Sequence, residues 1–578
     1  MTSRLGQRLL ASLKVSPVDL AAASSLPVGP TSTDAAMRRA VDKVADATLG
    51  DLLDHYARLW PAAPGAAAAL RCALLRDIAD GALDAYYADL WARTNGLDDV
   101  VFVAANRWDD LLLSDPSNGR RVAGRIPRGA RGAAGLIRRV ARRGAPVAPP
   151  GPAPVAGPLG ASEPADPMRA TVMLVLNQGL TYGQLYAYDL LQGDDGLADL
   201  APDNVLMMAR TGGPGNAEGI RHAYPDAGGA PSRVRVAVTL YAGSWRRFRW
   251  RYPARFQWFF AAFAAQTLAQ QARLADSFAS LRLAVLAYEV QVPISLTLAL
   301  EANGVRTAAI NERITSILTE SQPFAVGTLL TASDETAQAA LASRTVAVGS
   351  AAPVGMWRSD LLVEYRRAPA HPEWQLARDR GQRCIVVLPY HAHPGAGWGG
   401  NPLATSVESV GHFLRHVAEL AERRPDARIV VRGKSDAWVE DPRLADSVAL
   451  LRTAANVSLS RDYRTLNESY RLCAQADLVL AKYTSLVDEA LTVGIPSVVH
   501  DFTANASGIA RPLARHLDPG VWAEDSDELW RRVEFALADG GEQFRTWWEP
   551  RRRRAFGDYS DGSVRSRARR ELARLAVD

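Results

Sequence analysis

The sequence predicts an α/β protein built from two doubly wound parallel sheets that face a cleft, with a helical region before them. Three observations lead to this prediction. Apolar runs of strand length alternate with amphipathic runs of helix length over residues 168–375, and the alternation returns over 376–578. A basic and then Pro-, Ala- and Gly-rich stretch, 119–167, has the composition of a linker. With 578 residues, the chain is also too long for a single core.

The composition excludes several classes of protein. The hydrophobic content of 48% and the charged content of 22% are ordinary for a globular chain. No window of 18 apolar residues is free of charge, so no transmembrane helix is expected, and residues 1–15 lack the apolar core of a signal peptide. Cys72, Cys384 and Cys473 are too few and too scattered for a disulfide framework or a zinc site. We therefore expect a cytoplasmic protein.

The N-terminal region, 1–118, is predicted to be mostly helical, because apolar positions recur at three- and four-residue spacing. A short strand is predicted at Val100–Val103, and a structural role is the favoured interpretation. The linker that follows carries nine arginines between Arg120 and Arg143. Residues 135–143 have the pattern of a basic amphipathic helix, which indicates contact with an anionic membrane surface. A solvated basic tether is an equal alternative.

The first α/β domain is predicted over 168–375. Its predicted strands are Thr171–Leu176, Val234–Tyr241, Leu283–Tyr288, Thr307–Ile310, Ala325–Thr331 and Val346–Gly349, and its predicted helices are Phe256–Leu281 and Pro293–Asn303. In a doubly wound sheet, ligands bind beyond the carboxyl ends of the strands. The glycine-punctuated loop after the first strand, with Asn177, Gln178 and Gly179, is therefore predicted to line the cleft.

The second α/β domain is predicted over 376–578. Its predicted strands are Cys384–Leu388, Arg428–Val431, Val457–Leu459, Leu478–Ala481 and Ser497–Val499. Its predicted helices are Ser406–Arg423, Leu466–Ala474, one that begins at Thr484 or Ser485, and a basic amphipathic helix at Arg565–Leu575.

The most informative stretch of the chain is 476–501. A short apolar strand ends at Ala481, and Thr484 and Ser485 stand where a helix would begin, so that one of them can cap it. A helix N-terminus with hydroxyl groups favours anions. Glu489, one turn later, can accept hydrogen bonds from sugar hydroxyls. The combination suits a nucleoside diphosphate, although an ordinary strand–helix–strand unit has the same layout.

Two further groups of residues are candidates for phosphate contacts. Arg432 and Lys434 follow a predicted strand and suit a pyrophosphate, the alternative being two surface cations. His391 and His393 lie in a glycine-rich loop, where a histidine can act as an acid, a base or a phosphate ligand. Their spacing, without a nearby cysteine or acid, is poor evidence for a metal site, and we predict none. The pair His412 and His416 is interpreted as surface or packing residues.

The stretch 476–501 resembles the donor-domain signature of GT-B glycosyltransferases, in particular of those that build bacterial surface and capsular polysaccharides. The related group is that of the teichoic-acid glycerophosphotransferases, whose histidine–glycine motif cannot be placed here, so sugar transfer is favoured over polyol-phosphate transfer. The resemblance is strongest over 380–575, weaker over 168–360, and absent from 1–150. The residues that carry it are Asp477, Thr484, Ser485, Glu489, Ala490, Leu491, Gly494 and Pro496.

The resemblance implies a metal-independent GT-B glycosyltransferase at the inner face of the cell membrane. It would move a sugar from a nucleotide-activated donor to a glycan or lipid-linked acceptor, without a cofactor and without a nucleic-acid partner. Arg432, Lys434, Thr484, Ser485 and Glu489 would hold the donor. Glu289, Glu312 and His393 are the candidate catalytic residues, because Glu289 and Glu312 follow predicted strands of the acceptor-side domain, as does the less well placed Asp334. Carboxylates at strand ends are also common helix caps.

Two other functions remain open. The first is a sugar-nucleotide epimerase of the same fold, which would convert its substrate without any acceptor. The second is a non-catalytic scaffold that docks on a membrane or a nucleic acid. Strongly salt-dependent binding without affinity for nucleotides would indicate such a scaffold. The glycine clusters at 212–215 and 228–229 lack the spacing of a dinucleotide-binding turn, so a dehydrogenase is excluded.

Overall fold

The structure is a computed structural model. It describes residues 41, 44, 49–79, 101–104, 121–125, 172–176, 205–209, 230–277, 279–287, 289–290, 292–311, 322–389, 407–433, 437–460, 467–482, 484–500 and 519–577.

A small parallel sheet precedes the two larger ones. It pairs β1 Val101–Ala104 with β2 Arg121–Arg125. The first of these is the predicted strand at Val100–Val103. The second lies within the segment that the sequence analysis assigned to the linker.

The first large sheet is parallel at every pairing and has the order β4-β3-β5-β6-β7-β8 among the described residues. Its strands are β3 Val172–Leu176, β4 Val205–Ala209, β5 Leu283–Leu286, β6 Arg306–Ile310, β7 Ala325–Thr331 and β8 Ala347–Pro353. Helices cover both faces of such a sheet, so its central strands must be apolar on both sides. The Leu-Ala-Val-Leu sequence of β5, buried throughout, meets that condition.

The second large sheet is also parallel, with the order β11-β10-β9-β12-β13-β14. Its strands are β9 Arg383–Leu388, β10 Ala427–Arg432, β11 Val457–Ser460, β12 Leu478–Ala481, β13 Ser497–His500 and β14 Trp522–Ala523. From β9, the first strand of the domain, the chain adds strands first on one side, as β10 and β11, and then on the other, as β12, β13 and β14. Doubly wound sheets bind their ligands at such a point of reversal. The predicted α/β fold class, with two doubly wound parallel sheets, is confirmed, and residues 50–57 and 66–79 of the N-terminal region are helical as predicted.

The helices connect and cover these strands. In the N-terminal region and around the first sheet they are α1 Gly50–Ala57, α2 Ala230–Phe248, α3 Ala254–Ser277, α4 Ile294–Ala302, α5 Asp334–Ala342 and α6 Ser359–Arg367, and residues 66–79 are helical as well. From there on they are α7 Pro372–Asp379, α8 Val407–Arg423, α9 Ala437–Glu440, α10 Ala445–Thr453, α11 Glu468–Ala474, α12 Ser485–Thr492, α13 Ser526–Leu537, α14 Glu542–Phe556 and α15 Val564–Val577. In the described part of the chain, no helix is both long enough and apolar enough to span a membrane.

One predicted strand, Val234–Tyr241, is wrong, because these residues lie inside helix α2. The alternation of Val234, Val236 and Val238 imitates the period of a strand, yet all three side chains are exposed. The buried residues of this helix, Ala237, Ser244 and Phe248, recur instead at helical spacing. The strand that follows β3 is β4, which the sequence analysis did not predict.

The N-terminal helices pack on the first domain rather than standing apart from it. The hydroxyl of Tyr56, in α1, donates to the backbone oxygen of Gln257 at 3.1 Å. Arg76, within the helical residues 66–79, donates to the backbone oxygen of Val292 at 2.9 Å. The region and helices α2 and α3 therefore share one hydrophobic core.

The C-terminal helix α15 returns to the first sheet. Its residues Val564, Ala568 and Leu572 share a core with Leu283 and Ile310 of that sheet. The sequence predicts this helix as part of the second domain, 376–578. Its packing instead makes it the element that ties the end of the chain to the first sheet.

The chain thus passes between the two sheets twice, and the two passages meet. Asp360, at the start of α6, accepts hydrogen bonds from the backbone N–H groups of Val564 (3.1 Å) and Arg565 (2.8 Å), which caps α15. Gly355 lies beside this cap with a φ of +112°. A Cβ at Gly355 would stand 2.6 Å from Val564 Cγ2 and 2.9 Å from the Tyr559 carbonyl oxygen, so only glycine fits.

We expect Gly355→Ala to lower the free energy of unfolding by about 2–5 kcal/mol, through backbone strain and overpacking together. The control is Gly381→Ala, which has a positive φ of +67° but no heavy atom within 4 Å of the added Cβ. That change should cost only about 1 kcal/mol. Urea denaturation of both variants checks the prediction. An equal loss of unfolding free energy in the two variants would contradict the steric requirement for glycine at position 355.

Candidate functional site

The carboxyl edge of the second sheet carries the predicted helix cap. Thr484 is the N-cap of α12, and its hydroxyl accepts a hydrogen bond from the Leu486 backbone N–H at 3.3 Å. Ser485 is the first residue of the helix. The positive end of the helix dipole therefore lies at the sheet edge where ligands of doubly wound sheets bind.

Arg432 ends strand β10, which β9 separates from β12, at the same edge of the sheet, and its guanidinium is held in a fixed orientation. Its Nε donates to Ser469 Oγ at 2.7 Å, and its Nη1 donates to Ser460 Oγ at 3.0 Å. The residue is 5% exposed. These two hydroxyl acceptors set the geometry of the guanidinium in advance, which suits recognition of a phosphate oxygen.

Glu489 is buried in a network at the boundary between the two cores. Its carboxylate interacts with the Tyr470 hydroxyl, which also receives a hydrogen bond from Arg358. Burial, and then the charge of Glu489, raise the pKa of Tyr470 well above its usual range. Arg358 stands directly before α6 with a φ of 70°, a conformation that a non-glycine residue adopts only under constraint. The network couples the α12 helix to the segment that joins the two sheets.

A chain of three histidines, which the sequence analysis did not predict, lies beside this edge. His412 Nε2 is 3.1 Å from His416 Nε2, His416 Nδ1 is 2.8 Å from His500 Nε2, and His500 Nδ1 is 3.2 Å from the Ala523 carbonyl oxygen. Because a carbonyl only accepts, His500 must be protonated on Nδ1. His416 then donates from Nδ1 to His500, and His412 donates from Nε2 to His416. The network fixes the tautomer of all three neutral rings.

The environment keeps these histidines uncharged. Burial, and then the neighbouring imidazoles and cations, lower the pKa of His416 to about 4 and that of His500 to about 3. Burial also lowers the pKa of His412, assisted by Arg415 and Lys482. The prediction of surface or packing residues holds for both, since His412 is exposed and His416 is buried, and the two are linked in a polar chain.

Lys482 is a second feature that the sequence analysis left without a role. It directly follows strand β12, and its side chain is fully buried. Its backbone N–H donates to the Leu388 carbonyl oxygen at 3.2 Å, and its charge lowers the pKa of His500. The signal in the sequence was its position between a strand end and a helix cap. The edge thus holds two buried cations, Lys482 and Arg432, near the α12 N-terminus.

The carboxyl edge of the first sheet holds Glu289, one of the predicted catalytic residues. Its side chain is 1% exposed, and Oε1 accepts a hydrogen bond from Asn311 Nδ2 at 3.1 Å. These two residues follow the adjacent strands β5 and β6. Asp334 is differently placed, since it begins helix α5 and accepts a hydrogen bond from the Tyr559 hydroxyl at 3.1 Å. The structure therefore joins Asp334 to the C-terminal segment.

Several predicted site residues lie outside the described residues. They are Asn177, Gln178, Gly179, Glu312, His391, His393 and Lys434. Within the described ranges, no group of three or more His, Cys, Asp or Glu side chains is arranged to hold a metal ion. The metal-independent site remains a prediction.

No protein-family model and no curated protein sequence matches the chain. Solved structures resemble it at low identity. A UDP-GlcNAc 2-epimerase from Neisseria meningitidis bound to UDP-GlcNAc is 12% identical with a TM-score of 0.40, and the match covers 70% of this chain and 100% of that one. The trehalose-6-phosphate synthase OtsA is 10% identical with a TM-score of 0.40, and the match covers 71% of this chain and 99% of that one. The wall teichoic acid polymerase TagF is 10% identical with a TM-score of 0.38, and the match covers 71% of this chain and 89% of that one.

The histidine chain makes a prediction about pH. The folded-state pKa values of His416 and His500 lie below the ordinary value of 6.5, so the unfolded chain binds more protons. Their contribution to the free energy of unfolding is complete above pH 6.5. It is lost as the pH falls toward about 4 for His416 and about 3 for His500. As the pH falls through that window, protonation of each histidine in the unfolded chain should lower the free energy of unfolding by about 1.4 kcal/mol per pH unit.

His416→Leu should therefore flatten the pH dependence of urea unfolding by about 1.4 kcal/mol per pH unit between pH 6 and pH 4.5. The matched control is Phe413→Leu, a buried residue of the same helix whose ring lies 6.1 Å from that of His500. It should lower stability equally at every pH. A His416→Leu variant with the slope of the parent would contradict the assignment.

Proposed function

We propose that this chain is a GT-B glycosyltransferase that binds a nucleotide-activated sugar at the carboxyl edge of its second sheet. The observation that carries the proposal is the convergence of positive groups at that edge. Arg432, oriented by two serines, ends β10, the buried Lys482 follows β12, and the capped N-terminus of α12 comes two residues after Lys482. Such a set of fixed donors suits a diphosphate, whose charge grows when the sugar departs. No metal is required for that stabilisation.

The donor contacts proposed from the sequence complete this site. Thr484 and Ser485 would present hydroxyl and backbone N–H groups to the phosphates, and Lys434 would add a third cation. Glu489 would contact the ribose or the sugar. Its buried network with Tyr470 and Arg358 supports a rigid, preorganised carboxylate, which is the form that recognition of hydroxyl groups requires.

The acceptor would enter from the first sheet, with the two carboxyl edges facing one another across the cleft. Glu289 is the proposed base, held by Asn311 at the edge of the sheet. Glu312 and His393 are the other candidates. The reaction would transfer the sugar to a glycan or lipid-linked acceptor in surface polysaccharide assembly, at the cytoplasmic face of the membrane. The three free thiols, all buried, accord with a reducing compartment.

Replacement of the phosphate-binding cations should weaken binding of a nucleoside diphosphate by about ten- to a hundredfold, since each charge-assisted contact contributes roughly 1.5–3 kcal/mol. The variants are Lys434→Ala and Arg432→Lys. The second keeps the positive charge but loses the planar guanidinium group that the two serines orient. Isothermal titration with UDP, GDP and CDP measures the affinities. Arg428→Ala is the control, because Arg428 lies on the same strand away from the carboxyl edge, paired with Glu373 at 2.8 Å. Unchanged affinity in both site variants would place the donor site elsewhere.

Glu289→Gln should lower the transfer rate by about a hundredfold or more while nucleotide affinity stays normal, since an amide keeps the shape but not the basicity. The control is Glu301→Gln, a second carboxylate of this domain, which accepts a hydrogen bond from Thr307 at 2.6 Å. It should retain transfer. The readout is release of nucleoside diphosphate with and without acceptor. Conversion of the sugar nucleotide without any acceptor would instead identify an epimerase.

A further inference from the structure

Helices α2 and α3 form a hairpin whose end exposes large aromatic side chains. Trp250, in the connecting turn, is 89% exposed, and Trp245 and Trp258 on the two helices are 37% and 39% exposed. We call this surface the hairpin tip and define it by six residues: Trp245, Arg246, Arg247, Arg249, Trp250 and Trp258. Exposed tryptophans in such a group mark a surface that interacts with another molecule.

The apolar side chains of the tip continue along one face of α2. Val234, Val238 and Trp245 follow one another at spacings of four and seven residues, which places them on a single stripe of the helix. The ring of Tyr241 stacks on Trp245 with 5.9 Å between centroids and meets Trp258 edge-on at 5.4 Å. The stripe and the tryptophans therefore form one continuous apolar surface across both helices.

Arginines border this surface, and no acid of the same segment balances them. Between Asp226 and Asp276 the sequence has eight arginines and no Asp, Glu or Lys. Arg246, Arg247 and Arg249 are exposed at the tip, and the Arg249 guanidinium lies 5.1 Å from the centroid of the Trp250 ring. Arg251 is also exposed but pairs with Asp51 of α1.

The tip is rigid. The buried side chain of Gln257 accepts a hydrogen bond from Ser244 Oγ at 2.8 Å, and its amide donates to the Tyr252 carbonyl oxygen at 2.8 Å. These bonds lock the turn to both helices. The tip therefore presents its side chains without a further cost of ordering the backbone.

The tip also projects from the carboxyl side of the first sheet. Helix α3 runs parallel to α4, with Gln266 Nε2 donating to Ser295 Oγ at 3.2 Å and Asn303 Nδ2 donating to the Gln271 carbonyl oxygen at 2.9 Å. Helix α4 begins at Ile294, after the carboxyl end of β5. The residues of α3 before Gln266 therefore extend about 18 Å beyond the start of α4, at 1.5 Å per residue.

We propose that the hairpin tip docks on an anionic phospholipid bilayer. Tryptophan side chains favour the interface between headgroups and acyl chains, where an indole ring contacts both. Arginines at the border meet the negative headgroups. A polyanion such as a nucleic acid would also attract the arginines and stack on the indoles, but it offers nothing to the exposed valines of the stripe. The combination of aliphatic, indole and guanidinium groups favours the membrane.

This surface differs from the one that the sequence analysis predicted. That prediction placed membrane contact in 135–143, which lies outside the described residues. The inference is independent of the proposed transfer reaction, because the tip shares no residue with the proposed donor or acceptor site.

The test is flotation of the full chain with vesicles of phosphatidylcholine alone and of phosphatidylcholine with 30 mol% phosphatidylglycerol, at low and at high salt. Binding is expected only to the anionic vesicles and should weaken with salt. The charge-reversed variant, Arg246→Glu with Arg247→Glu and Arg249→Glu, should bind about a hundredfold more weakly or worse, at roughly fivefold for each arginine lost. Trp250→Ala should weaken binding roughly tenfold.

Two matched controls separate the surface from net charge and general hydrophobicity. Arg367→Glu with Arg380→Glu and Arg452→Glu makes the same charge change at exposed arginines elsewhere, and Leu450→Ala removes an apolar side chain that is 46% exposed. Both controls should float as the parent does. All variants should also keep the melting temperature of the parent and its affinity for nucleoside diphosphates.

Four results would overturn the proposal. The first is flotation of the charge-reversed variant at the level of the parent. The second is loss of flotation on changing Arg138, Arg139, Arg142 and Arg143 to Gln with the tip intact, which would assign the contact to the linker. The third is tip-dependent binding of a single-stranded oligonucleotide in place of vesicles. The fourth is a dimer in sedimentation that Trp250→Ala dissociates, without vesicle binding, which would assign the tip to a second copy of the chain.

Discussion

The relation between the two sheets depends on one crossing, where the chain leaves the first sheet and later returns to it. Asp360 caps the returning helix α15, and Gly355 allows the two passages to touch. Neighbouring side chains divide between the cores, since Met356 packs with the second sheet and Trp357 with the first. This short segment therefore belongs to both cores. Arg358 extends the coupling, because its contact with Tyr470 reaches the carboxylate of Glu489.

The carboxyl edge of the second sheet shows how a sheet of apolar strands can hold buried charge. Transfer of a cation from water into a core is costly unless hydrogen bonds replace its hydration. Arg432 has two serine oxygens within 3.0 Å. The histidines beside Lys482 remain neutral, so they add no repulsion to the cation. The capped N-terminus of α12 and these two cations lie at the carboxyl edge of the sheet, and the buried carboxylates of Asp488 and Glu489 lie in the first turns of that helix.

The parts of the fold that the sequence predicted best are those with the clearest local pattern. Strands such as Leu478–Ala481 and the cap at Thr484 rely on apolar runs and a hydroxyl at a helix start, and both are where they were predicted. Helix α2 was predicted wrongly, because its exposed valines alternate as strand residues do. The return of α15 to the first sheet and the bond between His416 and His500 depend on contacts between residues 84 or more positions apart, which local spacing does not encode.

The exposed valines that misled the strand prediction acquire a physical reason once the hairpin is considered as a docking surface. A helix whose apolar residues face only the core shows a single stripe, whereas α2 has a second one outside its buried face. Exposed apolar area of this kind lowers solubility, and no packing within the described residues compensates for it. A bilayer that contacts the hairpin tip and the exposed stripe of α2 together would bury it. The membrane would then lie on the carboxyl side of the first sheet, where Glu289 stands, so a lipid-linked acceptor could approach the proposed base without leaving the bilayer.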